Sequence, residues 1–182
     1  IFYIFSISFP QLDREHWFAP MVDRTGNINP YQKLYLSTNR TTPFVVSIYN
    51  NNVVIGSVTI SKNNPQKFDV IRDYIITTLQ TDLFTPTTKG LYVKADFPFY
   101  ANLRFSVLNH AEIITSKGIP STGKNFHVAS APITVSNLIL NFMTSVLATE
   151  DNTTVTVSGY KPVVQFSNGT TGLTNPTMTF VL

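Results

Sequence analysis

The sequence predicts an all-β fold, an antiparallel β-sandwich, on three grounds. Short segments alternate apolar and polar residues, helix-forming stretches are scarce, and 11 prolines punctuate the 182-residue chain. In Tyr31 to Ser37, Leu34 and Leu36 share one face while Lys33, Tyr35 and Ser37 share the other. Phe44, Val46 and Ile48 alternate with Val45, Ser47 and Tyr49, and the alternation resumes over Val53 to Ile60. Between these runs stand Asn50, Asn51 and Asn52. Asparagine tolerates positive φ better than most residues, so the triplet predicts a tight hairpin over 44–60.

Further strands are expected at Gly90 to Ala95 and at Ala101 to Leu108, where Leu103, Phe105 and Val107 take the inner face. Others are expected at Asn125 to Ala129, Leu138 to Ala148 and Thr153 to Val157, and at Val163 to Phe166, which runs into the turn dipeptide Asn168-Gly169. Asp69 to Leu83 offers the only hint of helix, a turn or two with Val70, Tyr74 and Leu79 near helical spacing. The β-branched run Ile75 to Thr78 weakens it.

Ser116 to Lys124 is the most linker-like stretch and divides a β-sandwich over 11–115 from a second β unit over 116–182. Two small sandwiches in tandem are therefore an alternative to one. Thr177 to Leu182 reads as a strand without a terminator, so the second unit is expected to be truncated. Residues 1–10 begin with the uncharged apolar run Ile1 to Phe9, which reads as the remnant of a signal peptide. It is shorter than the roughly 20 apolar residues that span a bilayer, so no membrane insertion is expected after leader removal.

Composition narrows the function. Apolar residues make up 43% of the chain, enough for a substantial core, and charged residues only 13%. That is about half the usual share, so Thr, Ser and Asn must supply the polar surface, as suits a protein working outside the cell. The net charge is only +3, and Lys33, Arg40, Lys62, Lys67, Arg72, Lys89, Lys94, Arg104, Lys117 and Lys124 form no basic run. Nucleic acid is accordingly not expected as a partner. The absence of cysteine removes disulfides, thiolate zinc sites and cysteine nucleophiles together. A secreted chain without staples fits a bacterial product, either secreted or held on the outer surface.

Catalytic signatures are incomplete. His16 lacks the second histidine four residues on that a helical zinc site needs, and His110-Ala111-Glu112 lacks the cysteines of a deaminase. His127 stands alone. No Gly-x-Ser-x-Gly elbow is present, and Gly118 and Gly123 before Lys124 are too widely placed for a phosphate cradle. Glu15, Glu112, Glu150 and Asp151 are the carboxylates a glycosidase pair would draw on. Glu150-Asp151-Asn152 supplies too few oxygens to hold calcium alone and reads as a hairpin corner. No catalytic residue, metal or cofactor is therefore expected. The exposed positions Tyr35, Tyr49, Tyr92 and Tyr100 suit stacking contacts, and otherwise simply cover strand faces.

Five segments in order resemble the IgGFc-binding protein N-terminal domain family, in the form found in Bacteroidetes surface proteins linked to gliding motility and type IX secretion. Asp13-Arg14-Glu15-His16-Trp17-Phe18-Ala19-Pro20 is similar to an opening that runs Arg-Glu, then Phe, Tyr or His, then Trp-Phe-x-x-Pro. Lys33 to Ile60, with the Val58 to Ser61 run, resembles its first strands. Lys89 to Val93 followed by Leu103 to Val107, then Lys117-Gly118 with Gly123 to Val128, and finally Ser145 to Val157 complete the set. The resemblance implies a surface, adhesin-like role for residues after Gln11 and supplies no ligand residues; no immunoglobulin-binding motif can be placed on the chain.

The expected function is thus a non-catalytic extracellular binding or adhesion module of a large bacterial surface protein, with a protein or glycan ligand. The alternatives are a structural spacer domain of such a protein and a carbohydrate-active enzyme.

Overall fold

The computed structural model describes residues 11–23, 31–78, 82–107, 110–129 and 142–182. The apolar run at residues 1–9 lies outside them. The fold is all-β, as the alternation predicts, and antiparallel apart from one short parallel pair. Its strands are β1 (Asp13–Phe18), β2 (Met21–Val22), β3 (Tyr31–Ser37), β4 (Phe44–Asn50), β5 (Val53–Ile60), β6 (Gln66–Ile71), β7 (Ile76–Thr77), β8 (Leu91–Val107), β9 (His110–Thr115), β10 (Thr154–Ser158) and β11 (Thr177–Val181).

One strand organises the core. The two segments expected at 90–95 and 101–108 are a single strand, β8, bent in its middle. Its first arm pairs with β4 and β1, and its second with β3 and β9. Opposite β1 the register jumps from Glu15↔Lys94 to Asp13↔Phe99, so residues 95 to 98 form the corner. Pro98 lacks the amide a continuous ladder would require there. Leu91, Val93 and Ala95 are buried before the corner, and Phe99, Ala101, Leu103 and Phe105 after it. Phe99 lies four positions after Ala95, an even step, so odd positions face inward on both arms. The even positions face outward throughout. A strand shared by two sheets is one way a β-sandwich turns a corner.

The sheet order β5-β4-β8-β3-β6 leaves β5 and β6 as distant edges, yet a short turn over residues 61–65 joins them. They meet on the inner side, where the Phe68 ring of β6 lies against bare Gly56 of β5. A side chain at position 56 would collide with that ring, so the glycine lets the wrapped sheet approach a barrel. The β4–β5 hairpin turns through Asn51 and Asn52, at φ 47° and 62°. These left-handed values are those of the two-residue turn that matches strand twist.

Ile75 and Ile76 and, from the β2 side, Met21 close one end of this core, with β2 and β7 pairing in parallel. Every buried hydrophobic side chain among the described residues lies between Phe18 and Phe105. β10 and β11 form a separate two-stranded ribbon that contributes no buried hydrophobic residue.

Four expectations need correction. Asn125 to Ala129 is exposed and unpaired with any strand, and residues 142–148 are likewise not strand. Residues 138–141 of that expected strand lie outside the described residues. Val163 to Phe166 reduces to a turn with a single bridge, Gln165↔Thr171. The helical turn expected in 69–83 is replaced by β6, a 3-10 turn at Arg72–Tyr74, and β7. Leu79 lies outside the described residues. Apolar spacing without tertiary partners does not make a strand, and β-branching at 75–78 outweighed helical spacing.

Candidate functional site

The outward positions of the first β8 arm assemble a row of rings. Register places Trp17 of β1 and Tyr49 of β4 on either side of Tyr92. The Trp17 and Tyr92 rings are 5.4 Å apart at 22°, and those of Tyr92 and Tyr49 are 5.4 Å apart at 37°. At that separation the Trp17 and Tyr92 rings stack, and the Tyr49 ring tilts against Tyr92. Val54 of β5, opposite Tyr49 and 56% exposed, extends the row.

The next outward row is polar. Glu15 of β1 lies opposite Lys94, which lies opposite Ser47, itself opposite Ser57. The Lys94 Nζ stands 3.6 Å from the Glu15 carboxylate. Partial burial raises the Tyr92 pKa above its ordinary value, and the Glu15 carboxylate, bonded to the Tyr92 hydroxyl, raises it further. Tyr92 therefore stays a neutral hydrogen-bond donor across physiological pH.

The expected tyrosines split between two surfaces. Tyr49 and Tyr92 join Trp17 here, whereas Tyr35 and Tyr100 lie outward on the second arm, where Tyr35 is opposite Asn102 and Tyr100 opposite Ser37. Trp17 was not singled out by sequence reasoning. Its place in the row depends on a pairing between residues 17 and 92 that no local spacing records.

The histidines do not come together. His16 is fully buried, and its Nε2 lies 2.9 Å from the Phe99 carbonyl oxygen at the β8 corner. A carbonyl only accepts, so Nε2 carries the proton, and Nδ1 has no hydrogen-bond partner. The ring also meets Phe99 edge-on at 4.6 Å. His16 thus donates to a backbone carbonyl at the corner, where the β1–β8 register shifts, a structural task. His110 begins β9 and His127 is exposed outside any strand.

Burial lowers the His16 pKa below 6.5, and the Phe99 carbonyl and nearby Asp13 only partly oppose this. The folded state therefore resists a proton that the unfolded chain accepts. Stability is full above the unfolded value and falls as pH drops below it, until the buried ring is itself protonated. The urea midpoint is expected to fall between pH 7.5 and pH 5.5, and the His16→Gln protein is expected to lose part of that slope. An equal slope in both proteins would remove His16 from the account.

The acidic residues are also dispersed. Glu15 is outward on β1, and Glu112 is exposed on β9 opposite Phe105. Glu150 and Asp151 occupy a turn in which Asn152 adopts φ 58° and the Thr153 hydroxyl donates to the Glu150 carbonyl at 2.6 Å. It is a self-satisfied turn, but not the hairpin corner expected from sequence, because the residues before it are not strand and β10 pairs with β11. No cluster of three metal-ligating side chains occurs among the described residues. Gly118 does not begin a phosphate cradle: at φ 69° it packs on Asp13, whose carboxylate accepts from the Ile119 amide at 2.7 Å.

A hollow of about 260 Å³ is lined by Arg72, Asp73, Thr77, Asp82 and Lys89, among others. Beside it the buried Asp23 carboxylate pairs with Arg72, and the Thr77 hydroxyl donates to Asp82. Its charges are mixed: Arg72 is ion-paired with Asp23, and the Lys89 ammonium donates to the Asp73 carbonyl oxygen at 2.8 Å. The aromatic row and the polar row beside it make the more coherent contact surface. No known family, curated protein or solved structure matches the chain.

Proposed function

We propose that this chain is a non-catalytic, extracellular binding or adhesion module of a bacterial surface protein. The observation that carries the reading is the Trp17–Tyr92–Tyr49 row. Three rings are locked in line by cross-strand contact on an outward sheet surface, with Glu15 and Lys94 beside them. Such a surface gives up little side-chain entropy on binding, and aromatic residues of this kind dominate interface energetics. The polar row adds hydrogen-bonding groups that orient a protein or glycan partner. Low charge and the absence of cysteine favour an exported bacterial chain.

Immobilised glycans and matrix proteins offered to the purified chain test this. At least one should capture it, and Trp17→Ala and Tyr49→Ala should each weaken capture about tenfold, in line with a hot-spot truncation. Capture by none of them would sink the reading, and capture indifferent to both substitutions would take the aromatic row out of it.

A spacer role is favoured by one feature of the same row: the rings spend their faces on each other, which also stabilises the sheet. Deleting the domain from the parent protein separates the two. A spacer leaves adhesion intact, and a binding module takes adhesion with it.

A further inference from the structure

We infer that the outward face of the second arm, β6–β3–β8–β9, is a docking surface for an acidic polysaccharide bearing carboxylate or sulfate groups. This uses a different surface from the aromatic row and rests on the reading of the domain as a binding module.

The register collects on this face what the sequence scatters. One cross-strand row runs Lys67, Tyr35, Asn102, Thr115, and the next runs Asp69, Lys33, Arg104, Ile113. Tyr31 and Ile71 begin a third. Four adjacent strands span roughly 14 Å, broad enough for several linked sugars. Tyr31 and Tyr35 are 44% and 41% exposed, so their rings are accessible for stacking.

Lys33, Lys67 and Arg104 set three positive charges on the face against one negative, Asp69. Lys33 reaches the Asp69 carboxylate at 2.8 Å and Lys67 at 3.7 Å. Arg104 has no ion-pair partner among the described residues, yet it stands directly opposite Lys33. Like charges opposed across strands destabilise a sheet. Asp69 answers the Lys33 charge, so the uncompensated cation is Arg104, and such an exception to a local rule is expected where an outside group completes the arrangement. An anion over Arg104 and Lys33 would do so.

The remaining groups select a sugar over a nucleic acid. Asp69, held by Lys33 and Lys67, has lone pairs left to accept from hydroxyls, which a polysaccharide carries on every sugar and a DNA backbone lacks. The hydrogen bond donated by Lys33 does most to hold its carboxyl below the ordinary range, so it stays ionised. The Thr115 hydroxyl and Asn102 amide, bonded at 2.6 Å, present further polar atoms between the cations.

Columns of polygalacturonate, heparin, neutral dextran and a single-stranded oligonucleotide test the inference with the whole chain. Retention on polygalacturonate, heparin or both, reversed by salt and absent on dextran, is the expected result; which polymer retains the chain identifies carboxylate or sulfate. Arg104→Gln should weaken retention about tenfold, as loss of a charge-assisted contact does. Its urea midpoint should stay level or rise, because the like-charge pair is relieved. Lys161→Gln, which removes an exposed charge outside this face, should bind as the wild type does. No retention on either acidic polymer, retention undiminished in Arg104→Gln, or preference for the oligonucleotide would overturn the inference. A neutral partner captured through Trp17 alone would overturn it and leave the binding reading standing; capture by nothing at all would remove both.

Discussion

Replacing Phe99 with alanine is expected to destabilise the fold by about 3–5 kcal/mol. The phenylalanine is fully buried at the β8 corner, packed edge-on against His16, and its carbonyl holds His16 Nε2. Truncation opens a cavity between the two arms of the wrapped sheet, at the point where the ladder to β1 is already broken. The backbone there is fixed by β1, β3 and β9, so it cannot collapse to fill the space. A domain of this kind has only about 5–15 kcal/mol to lose. Urea unfolding by fluorescence of Trp17 measures the change. A loss below about 1 kcal/mol would mean that the corner is not a core element.

The second large effect is expected at the Asp23–Arg72 pair. Asp23 is 2% exposed and the Arg72 side chain 11%. Asp23 follows β2, its amide donating to the Thr77 carbonyl at 2.9 Å, while Arg72 opens the 3-10 turn that ends β6. The pair therefore ties the β2–β7 closure to the sheet edge. Asp23→Ala leaves a guanidinium buried without its counter-charge, and one of its nitrogens, Nη1, already lacks a partner. Breaking a buried pair in this way costs about 3–5 kcal/mol. Replacing both partners, Asp23→Leu with Arg72→Met, should recover most of the loss, because the uncompensated charge is gone. Equal destabilisation of the single and double variants would place the effect in packing instead of charge.

Local alternation made β3, β4, β5 and both arms of β8 legible, because each turns one face to the core; β10 alternates as well, although its valines are only half-buried. The Asn51-Asn52 turn was legible for a separate reason, since its residue type carries its backbone geometry. β1 was not, because Asp13-Arg14-Glu15-His16 puts a buried histidine where the pattern shows only polar residues. β6 was hidden because Val70 and Tyr74, with Leu79, lent its end a helical spacing. The bend that joins the β8 arms is a tertiary event, recorded locally only by Pro98. For the same reason Tyr49 and Tyr92 were visible as candidates while Trp17 was not. Lys33, Lys67 and Arg104 looked scattered along the chain, and became neighbours only through antiparallel register.

The central claim is that the outward faces of one bent sheet are the working surfaces of this protein. Amide chemical-shift mapping of the isotope-labelled chain, titrated with a galacturonate oligosaccharide, tests it most directly. The account predicts shifts concentrated on Lys33, Tyr35, Lys67, Asn102 and Arg104, with the core-facing residues between them little changed. Shifts gathered instead around the hollow at Arg72 and Asp82, or along the β10–β11 ribbon, would contradict it.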